Sequence, residues 1–259
     1  MLAVNIGNSI ISFGVFEENG ELISSFDISS DNKKTSDEYV TIIRSIIRDK
    51  DVPSEKIDAA IVASVVPQLT DKIKLVVREL TKKEPITVGP GVKTGFHIKI
   101  DNPSELGADI VANTASAIQI KQRDHAAIIA DLGALNTLSA IAQNGDYLGC
   151  AIFPGVRLSF DAIYEGAAQL PNVNVSAQTN AIGKSSQSSM RSGVLLGNSF
   201  AIDGFVSKFA REMHLQLSNI DLIATGTYAA AILPACRNEF RYDEHLTLKG
   251  LYCIYKINS

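Results

Sequence analysis

Two glycine-containing segments of the sequence have the composition of phosphate-binding turns. Asn5-Ile6-Gly7-Asn8-Ser9 and Asp131-Leu132-Gly133-Ala134-Leu135-Asn136-Thr137 each follow an apolar run and lead into another apolar segment. Glycine lets the backbone bend sharply and approach an anion, and adjacent amide or hydroxyl side chains add hydrogen-bond donors. Either segment alone is equally consistent with an ordinary β-turn. Because the pattern recurs, it favours a duplicated anion-binding device.

Two aspartates lie where a carboxylate could take part in chemistry. Asp109 follows Gly107 at the predicted start of a helix, a position suited to a catalytic base that is also common for an aspartate that interacts with free backbone amides. Asp131 ends an apolar strand and precedes a glycine turn. By itself it is consistent with a turn-opening aspartate that bonds its own backbone.

Composition restricts the class of protein. The 259 residues suffice for one large domain or two domains of the usual size, with a sizeable core. The formal net charge of −4 and a pI near 5.6 argue against nucleic-acid binding by phosphate neutralisation. Three widely separated cysteines lack metal-ligand spacing, so they are typical of reduced thiols in the cytosol. The four histidines show no ligand spacing either.

The start of the chain and its apolar runs bear on location. The segment Met1-Leu2-Ala3-Val4-Asn5-Ile6-Gly7 is typical of a first strand rather than of a signal sequence. Apolar runs elsewhere are too short or too interrupted to span a bilayer. We therefore expect a cytoplasmic protein without membrane or nucleic-acid partners.

Hydrophobic patterning predicts two consecutive units of the same design, each a three-stranded meander followed by alternating helices and strands. Predicted strands are 2–6, 10–16, 22–28, 57–65, 86–88, 126–131, 137–143, 147–153 and 222–225. Predicted helices are 36–48, 69–80, 108–119, 158–169, 197–216 and 228–236. The expected domains are residues 1–119 and 120–259, and ligands of such α/β proteins prefer inter-domain crevices.

With these segments in order, the chain resembles the type III pantothenate kinases, members of the actin and sugar-kinase superfamily, nearly from end to end. The resemblance implies an α/β fold of duplicated ribonuclease-H-like domains with a cleft between them. Besides the two glycine segments, the motifs that carry it are Ser64-Val65-Val66-Pro67, Gly89-Pro90-Gly91-Val92-Lys93-Thr94-Gly95, Asp101-Asn102-Pro103, Gly107-Ala108-Asp109, Tyr147-Leu148-Gly149, Pro154-Gly155, Ala167-Ala168-Gln169-Leu170-Pro171, Ile182-Gly183-Lys184, Thr225-Gly226 and Leu246-Thr247-Leu248-Lys249-Gly250-Leu251.

The resemblance implies transfer of the γ-phosphoryl group of ATP to the primary hydroxyl of pantothenate, which gives 4'-phosphopantothenate in the first step of coenzyme A biosynthesis. Asp109 is then the base, and Asp131 is associated with a monovalent cation, K⁺ or NH₄⁺, beside the Mg²⁺ that accompanies ATP. Implied nucleotide-binding residues are Asn5, Ile6, Gly7, Asn8, Ser9, Ile10, Gly133, Ala134, Asn136, Thr137, Thr225 and Gly226. Implied substrate-binding residues are Ile100, Gly107, Ala108, Asp109, Ile110 and Ser186.

Two of these assignments have ordinary alternatives, and the quaternary structure follows only from the family. Thr225-Gly226 is also consistent with a plain helix-entry turn. Lys184 precedes Ser185-Ser186 in a segment that the resemblance places at the substrate pocket of the neighbouring subunit, and by itself it is also consistent with a solvated loop lysine. The resemblance implies a homodimer whose substrate pocket is shared between subunits.

The sequence departs from the family pattern at six places around the implied site. Asn5 stands where the family has aspartate and Ile110 where it has arginine, so a charge is lost at each position. The remaining departures are Ile100 for tyrosine, Ala134 for threonine, Thr227 for glycine and Ser185-Ser186 for asparagine-threonine. Three hypotheses remain: a pantothenate kinase with weakened activity, a catalytically impaired paralogue that acts as a ligand-binding or regulatory protein, and a sugar or small-alcohol kinase.

Overall fold

The computed structural model describes residues 1–53, 56–167, 169–175 and 180–259. Within these ranges ten strands form two five-stranded sheets. The strands are β1 (Leu2–Ile6), β2 (Ile10–Phe16), β3 (Leu22–Ser29), β4 (Ala60–Ser64), β5 (Ile86–Thr87), β6 (Ala126–Leu132), β7 (Leu135–Ile141), β8 (Tyr147–Pro154), β9 (Ile220–Thr225) and β10 (Arg241–Tyr242). The α-helices are α1 (Ser36–Asp49), α2 (Pro67–Thr81), α3 (Ala108–Ile120), α4 (Val156–Gly166), α5 (Ser186–Arg191), α6 (Gly197–Glu212), α7 (Ala229–Ile232) and α8 (Leu246–Lys256).

The two sheets have the same topology, so the predicted duplication is confirmed. Their strand orders are β3-β2-β1-β4-β5 and, from the corresponding edge, β8-β7-β6-β9-β10. In each sheet the first three strands form an antiparallel meander, and the last two are parallel to the first. In the first sheet α1 and α2 supply the crossovers that parallel strands need.

The chain divides into two compact units that are discontinuous in sequence. Unit 1 contains residues 1–97, 101–119 and 245–259, and unit 2 contains 98–100 and 120–244. This differs from the contiguous domains 1–119 and 120–259 expected from the sequence.

Helix α8 explains most of that difference, because it packs on the first sheet. A Cβ atom on Gly250 would collide with the backbone of Ala112 in α3, so the two helices touch backbone to backbone. The hydroxyl of Thr247 donates to Asn113 Oδ1 at 2.7 Å. Leu248 and Leu251 are buried with Ala3 of β1. The C-terminal segment thus completes unit 1.

Alternation along β1 divides the core of unit 1 into two layers. Leu2, Val4 and Ile6 are buried in the layer that α1 and α2 cover. Ala3, which lies between Leu2 and Val4 in the sequence, is buried in the layer that α3 and α8 cover. Because successive side chains of a strand point to opposite faces, Asn5 lies on the same face as Ala3.

Unit 2 has its main core on one face of the second sheet. Ala126, Ile128, Ala130 and Leu132 of β6 are buried there with side chains from α4, α6 and α7. The same alternation places Asp131 on the opposite face. Residues 98–100 join this unit where Lys99 N donates to the Tyr147 carbonyl at 2.8 Å.

Several helices differ from the predicted ones. The helix predicted at 197–216 is preceded by α5 and a π-helical segment, Ser192–Leu196, and ends at Glu212. The helix predicted at 158–169 spans Val156–Gly166, and residue 168 lies outside the described residues. Of the helices in the described ranges, none has the length and hydropathy needed to cross a bilayer.

Candidate active site

The carboxyl ends of β1 and β4 meet the start of α3 in one corner of unit 1. The amide of Val65, just after β4, donates to the carbonyl of Ile6 at 3.1 Å. A Cβ atom built on Gly107 would lie 3.7 Å from Val65 Cγ1. These contacts bring the first predicted turn and the predicted base, Asp109, to the same corner.

Turn 1, which we define as residues 7–9 between β1 and β2, is fastened to the end of β3. Gly7 N donates to the Ile10 carbonyl at 2.9 Å, which closes the hairpin. Ser30 holds the turn from outside, because its hydroxyl donates to the Gly7 carbonyl at 2.6 Å and its amide donates to the Ser9 carbonyl at 3.0 Å. Asn8, Ser9 and Ile10 are exposed, as phosphate binding requires.

Asn5 directly precedes the turn-1 hairpin and has an unsatisfied oxygen. Its strand neighbours are Ser12 on β2 and Ala63 on β4. The buried Asn5 Oδ1 has no hydrogen-bond partner among the described residues. A buried acceptor without a donor is unusual in a folded protein and indicates a site for a water, a cation or a ligand donor.

The carboxylate of Asp109 lies close to Gly107 at the start of α3. Its Oδ1 accepts a hydrogen bond from the Ile110 amide at 2.8 Å. A Cβ atom on residue 107 would lie 2.5 Å from that oxygen, so a side chain there would displace the carboxylate from this position. Burial raises the pKa of the Asp109 carboxyl, and the amides of Ile110 and Asp109 oppose the increase. A carboxylate with a raised pKa is a stronger base than an exposed one.

Turn 2, which we define as residues 133–134 between β6 and β7, is shorter than turn 1. Leu132 pairs with Asn136, which leaves three residues between them, whereas Ile6 pairs with Ile11 and leaves four. Gly133 N donates to the Leu135 carbonyl at 3.3 Å. Ala134 and Leu135 are exposed.

Glycines on both sides press against the backbone of turn 2. Gly155 N donates to the Ala134 carbonyl at 3.1 Å, and a Cβ on Gly155 would collide with the carbonyl oxygens of residues 133 and 134. Gly226 has φ +99°, and a Cβ there would lie 2.5 Å from Leu132 N. Tyr228 N donates to the Leu132 carbonyl at 2.8 Å. Turn 2 is therefore confined by close backbone contacts.

Asp131 lies in a row of oxygen-bearing side chains across the second sheet. Its partner on β7 is Thr137, and its partner on β9 is Thr225. Directly paired residues share a face of a sheet, so two hydroxyl groups flank the carboxylate. The corresponding row in unit 1 is Ser12, Asn5 and Ala63, which has fewer oxygens and no charge.

Asn136, predicted at the turn, is instead a strand residue. Because β7 begins at Leu135, Asn136 and Thr137 point to opposite faces. The Asn136 side chain is fully buried and donates to Asn198 Oδ1 at 2.5 Å. A phosphate contact from Asn136 would thus have to come from its backbone.

The remaining predicted residues fall in both units. Ala108 and Ile110 are half-buried in the first turn of α3 in unit 1. Ile100 belongs to the 98–100 segment of unit 2. Ser186 is the exposed first residue of α5, whose N-cap, Ser185, accepts a hydrogen bond from the Ser188 amide at 3.2 Å.

The donor set can be compared with what Mg²⁺ and a monovalent cation require. Mg²⁺ in kinase sites is held by one or two protein oxygens together with substrate phosphates and waters. Each unit offers one such oxygen group: the unsatisfied Asn5 Oδ1 in unit 1, which is uncharged, and the Asp131 carboxylate in unit 2. Each fits a phosphate-bound cation. Among the described residues no three His, Cys, Asp or Glu side chains cluster as a self-contained metal centre.

Sequence reasoning did not find the residues that fix the two turns. Ser30 carries no motif, and its distance of more than twenty residues from Gly7 hides the contact. Gly155 stands in a Pro-Gly pair that indicates a turn, but no sequence signal shows which backbone it touches.

Comparisons with known proteins place this geometry in a fold. Three solved structures with this architecture are a protein of Campylobacter jejuni described as a Baf family transcriptional activator, the activator of 2-hydroxyisocaproyl-CoA dehydratase from Clostridium difficile with bound ADPNP, and the inorganic polyphosphate/ATP-glucomannokinase of Arthrobacter sp. strain KM. Their identities to this chain are 18%, 12% and 11%, and their TM-scores are 0.61, 0.56 and 0.53. The matches cover 100% of this chain in each case, and 98%, 96% and 99% of the respective structures.

At these identities the structures show the fold alone. They confirm the predicted α/β fold, which the two sheets of the same topology show to be duplicated. A family model of type III pantothenate kinases matches residues 1–208, which is most of the chain and includes Asp109, Asp131 and both turns. The protein therefore belongs to the type III pantothenate kinase family.

Proposed function

We propose that the protein is a kinase that transfers the γ-phosphoryl group of ATP to the primary hydroxyl of pantothenate. The product is 4'-phosphopantothenate, the first intermediate of coenzyme A biosynthesis. The observation that carries the proposal is the placement of Asp109, a half-buried carboxylate in the same corner of unit 1 as turn 1, in a chain that belongs to this family.

Asp109 has the properties of the base for the acceptor hydroxyl. Phosphoryl transfer needs positioned reactants, neutralised charge and a group that accepts the hydroxyl proton. Burial raises the pKa of Asp109, so its carboxylate takes up a proton more readily than an exposed aspartate does. Gly107 leaves room for that carboxylate, since a side chain at this position would collide with Oδ1.

Turns 1 and 2 are the proposed binding sites for the ATP phosphates. Both expose short backbone segments with little side-chain bulk at the carboxyl end of a strand, next to the residues Asn5 and Asp131. Thr225 ends β9, Gly226 follows it in close contact with Leu132 beside turn 2, and both are assigned to the nucleotide. The bound ADPNP of the Clostridium difficile activator and the ATP-glucomannokinase among the similar folds support ATP as the donor.

Cations complete the proposed site. Asn5 is the proposed contact for Mg²⁺, which when bound neutralises phosphate charge. Asp131, with Thr137 and Thr225 on either side, is the proposed contact for K⁺ or NH₄⁺. Because Asn5 is uncharged, we expect a high Mg²⁺ requirement.

The acceptor pocket and assembly remain proposals from the family. Gly107, Ala108 and Ile110 accompany Asp109, while Ile100 and Ser186 are assigned to the same substrate from unit 2. We further propose a cytoplasmic homodimer in which the substrate pocket is shared between subunits.

The direct test is product formation by purified protein. ATP, pantothenate, MgCl₂ and either KCl or NH₄Cl are supplied at millimolar concentration, and 4'-phosphopantothenate is measured by mass spectrometry. We expect ATP-dependent product, with pantothenate preferred over sugars and other small alcohols. Absence of product from protein shown to be folded by circular dichroism would contradict the proposal.

One observation favours a second candidate, a nucleotide-binding or regulatory protein with impaired catalysis. Asn5 Oδ1 lacks a partner among the described residues and carries no charge, and Ile110 offers only apolar contact beside the base. Loss of one charge-assisted transition-state contact typically costs about 2–4 kcal/mol, so two losses reduce turnover by several orders of magnitude. Saturable ATP binding without any product would support this candidate over the kinase.

A further inference from the structure

A buried pair of asparagines links turn 2 to helix α6. Asn136 is the first residue of β7 that pairs with β6, opposite Leu132. Its Nδ2 donates to Asn198 Oδ1 at 2.5 Å, and both side chains are buried. The contact therefore joins the strand end nearest turn 2 to a helix 62 residues away in sequence.

The direction of the Asn198 amide is fixed by a second hydrogen bond. Asn198 Nδ2 donates to the Val194 carbonyl at 2.7 Å, which leaves Oδ1 to accept from Asn136. Rotating the amide by half a turn would place donor against donor and remove both bonds. Val194 belongs to the π-helical segment Ser192–Leu196, and such segments shift the residues that follow them relative to a regular α-helix.

The Asn136 side chain depends on this contact more than a side chain with several hydrogen-bond partners would. Its Oδ1 is buried and has no hydrogen-bond partner among the described residues. The bond to Asn198 is the one side-chain hydrogen bond that the structure gives Asn136 in those ranges. Without Asn198 both polar ends of a fully buried amide would lack partners, and the strand end would shift to reach water.

We propose that Asn198 is a positioning residue for turn 2, which acts through Asn136. The pair holds the start of β7 in register, and thereby holds the amides of residues 133–135 in the geometry that binds ATP phosphates. This inference rests on the proposed function, since it assigns a role to a residue that supports the nucleotide site without touching the nucleotide.

The test compares Asn198→Ala with Ser199→Ala. Ser199 is the next residue of α6, is fully buried, and donates its hydroxyl to the Leu196 carbonyl at 2.9 Å, with no link to turn 2. Each variant loses a buried polar group, so general destabilisation affects both. We expect Asn198→Ala to weaken Mg·ATP binding about tenfold in calorimetry. Ser199→Ala is expected to stay within about twofold.

A double-mutant cycle separates positioning from a structural role. If Asn198 acts through Asn136, then Asn198→Ala in an Asn136→Ala background causes little further loss of ATP affinity. If the two substitutions act independently, so that their fold losses of ATP affinity multiply, the proposal is wrong. Equal ATP affinities of the Asn198→Ala and Ser199→Ala proteins would also overturn it.

Amide hydrogen exchange without nucleotide keeps this inference distinguishable from the proposed function. We expect Asn198→Ala, and not Ser199→Ala, to accelerate exchange at residues 133–136. Unchanged exchange there would overturn the positioning role even if ATP binds. Faster exchange in a protein that binds no ATP would contradict the proposed function while supporting the link between Asn198 and turn 2.

Discussion

Turn 1 and turn 2 occupy equivalent positions in two sheets of the same topology, yet they are held in different ways. Turn 1 is fastened by one side chain, Ser30, and leaves three exposed residues at its end. Turn 2 is shorter; Gly155 lies against its backbone, and Gly226 lies against Leu132, the residue before it. Duplication therefore preserves the hairpin, while its register at the turn, which is one residue shorter in unit 2, and the means of holding the turn have diverged.

The residues that precede the two turns also differ in charge. Unit 2 has the row Thr225, Asp131 and Thr137, which is charged and rich in oxygen. The equivalent row of unit 1 contains Asn5 with an unsatisfied Oδ1. Unit 1 instead carries the proposed base, Asp109. The two rows therefore differ in charge and in oxygen content, and the proposed base lies in the unit whose row is uncharged.

The largest expected effect is the loss of turnover caused by Asp109→Asn in unit 1. Removal of a general base reduces turnover by about 10²- to 10⁴-fold, and the ATP affinity should hardly change. Steady-state kinetics with pantothenate and calorimetry with ATP measure the two quantities. Asp101→Asn, an exposed neighbour in the same unit, is the matched control and should retain activity. Equal turnover in both variants would remove Asp109 from the mechanism.

Asp109→Asn is also expected to change how the free energy of unfolding depends on pH. Burial raises the folded-state pKa of Asp109 above its ordinary value of 3.8, so the folded protein resists ionisation that the unfolded chain undergoes. As pH rises through the interval between those two values, wild-type protein should lose stability relative to Asp109→Asn and keep that deficit at neutral pH. Urea unfolding over a pH series checks this. A stability difference that does not change with pH would contradict it.

Gly226→Ala tests whether close backbone contact holds turn 2. A side chain there combines strain at φ +99° with a collision at Leu132, so we expect a loss of about 2–5 kcal/mol in the free energy of unfolding. Gly91→Ala is the control, because Gly91 has φ +90° and open space around it. It should lose only about 1–2 kcal/mol. Denaturant unfolding measures both losses. Equal losses in the two variants would show that backbone strain alone explains the effect of Gly226→Ala.

Asn5→Asp makes the row around residue 5 in unit 1 more like the row around Asp131 in unit 2. A carboxylate at the unsatisfied Oδ1 position should lower the free energy of unfolding by about 1–3 kcal/mol without Mg²⁺, because it adds a buried charge without a donor. Mg·ATP should restore stability and increase turnover. Asn19→Asp makes the same chemical change in the exposed turn between β2 and β3 of the same unit, and it should neither destabilise the protein nor increase turnover. A thermal shift that is insensitive to Mg²⁺ in Asn5→Asp would contradict cation binding there.

The smallest expected effect is that of Ser30→Ala on turn 1. Loss of the hydrogen bond to the Gly7 carbonyl should lower the free energy of unfolding by about 1 kcal/mol and weaken ATP binding severalfold. Ser29→Ala, the exposed preceding residue, should stay within about 0.5 kcal/mol of wild type. An effect of Ser30→Ala as large as that of Gly226→Ala would undo the contrast between the turns.

Local pattern sufficed for the parts of the fold that alternate simply. The bounds of β1 and β2 agree with the predicted strands, because Leu2, Val4 and Ile6 alternate with smaller residues before a glycine turn. The family and the fold class were also accessible, since many short motifs occur in order. The roles of the individual site residues remain predictions.

Long-range contacts explain what the sequence concealed. Gly250 is a helix breaker by propensity, so α8 was not predicted, but the missing side chain is what lets α8 touch Ala112. Asn136 was assigned to a turn because Asn is a turn residue, whereas its partner, Asn198, lies 62 positions away. The π-helical segment has no period that single-sequence patterns detect.

The central claim is that one nucleotide is bound by both turns. The most direct measurement is a titration of ¹⁵N-labelled protein with Mg·ADP, which follows the amide resonances of Gly7 and Gly133. The account predicts that both resonances shift and that both saturate with the same dissociation constant. A shift at only one glycine, or at neither while ADP binds elsewhere, would contradict it.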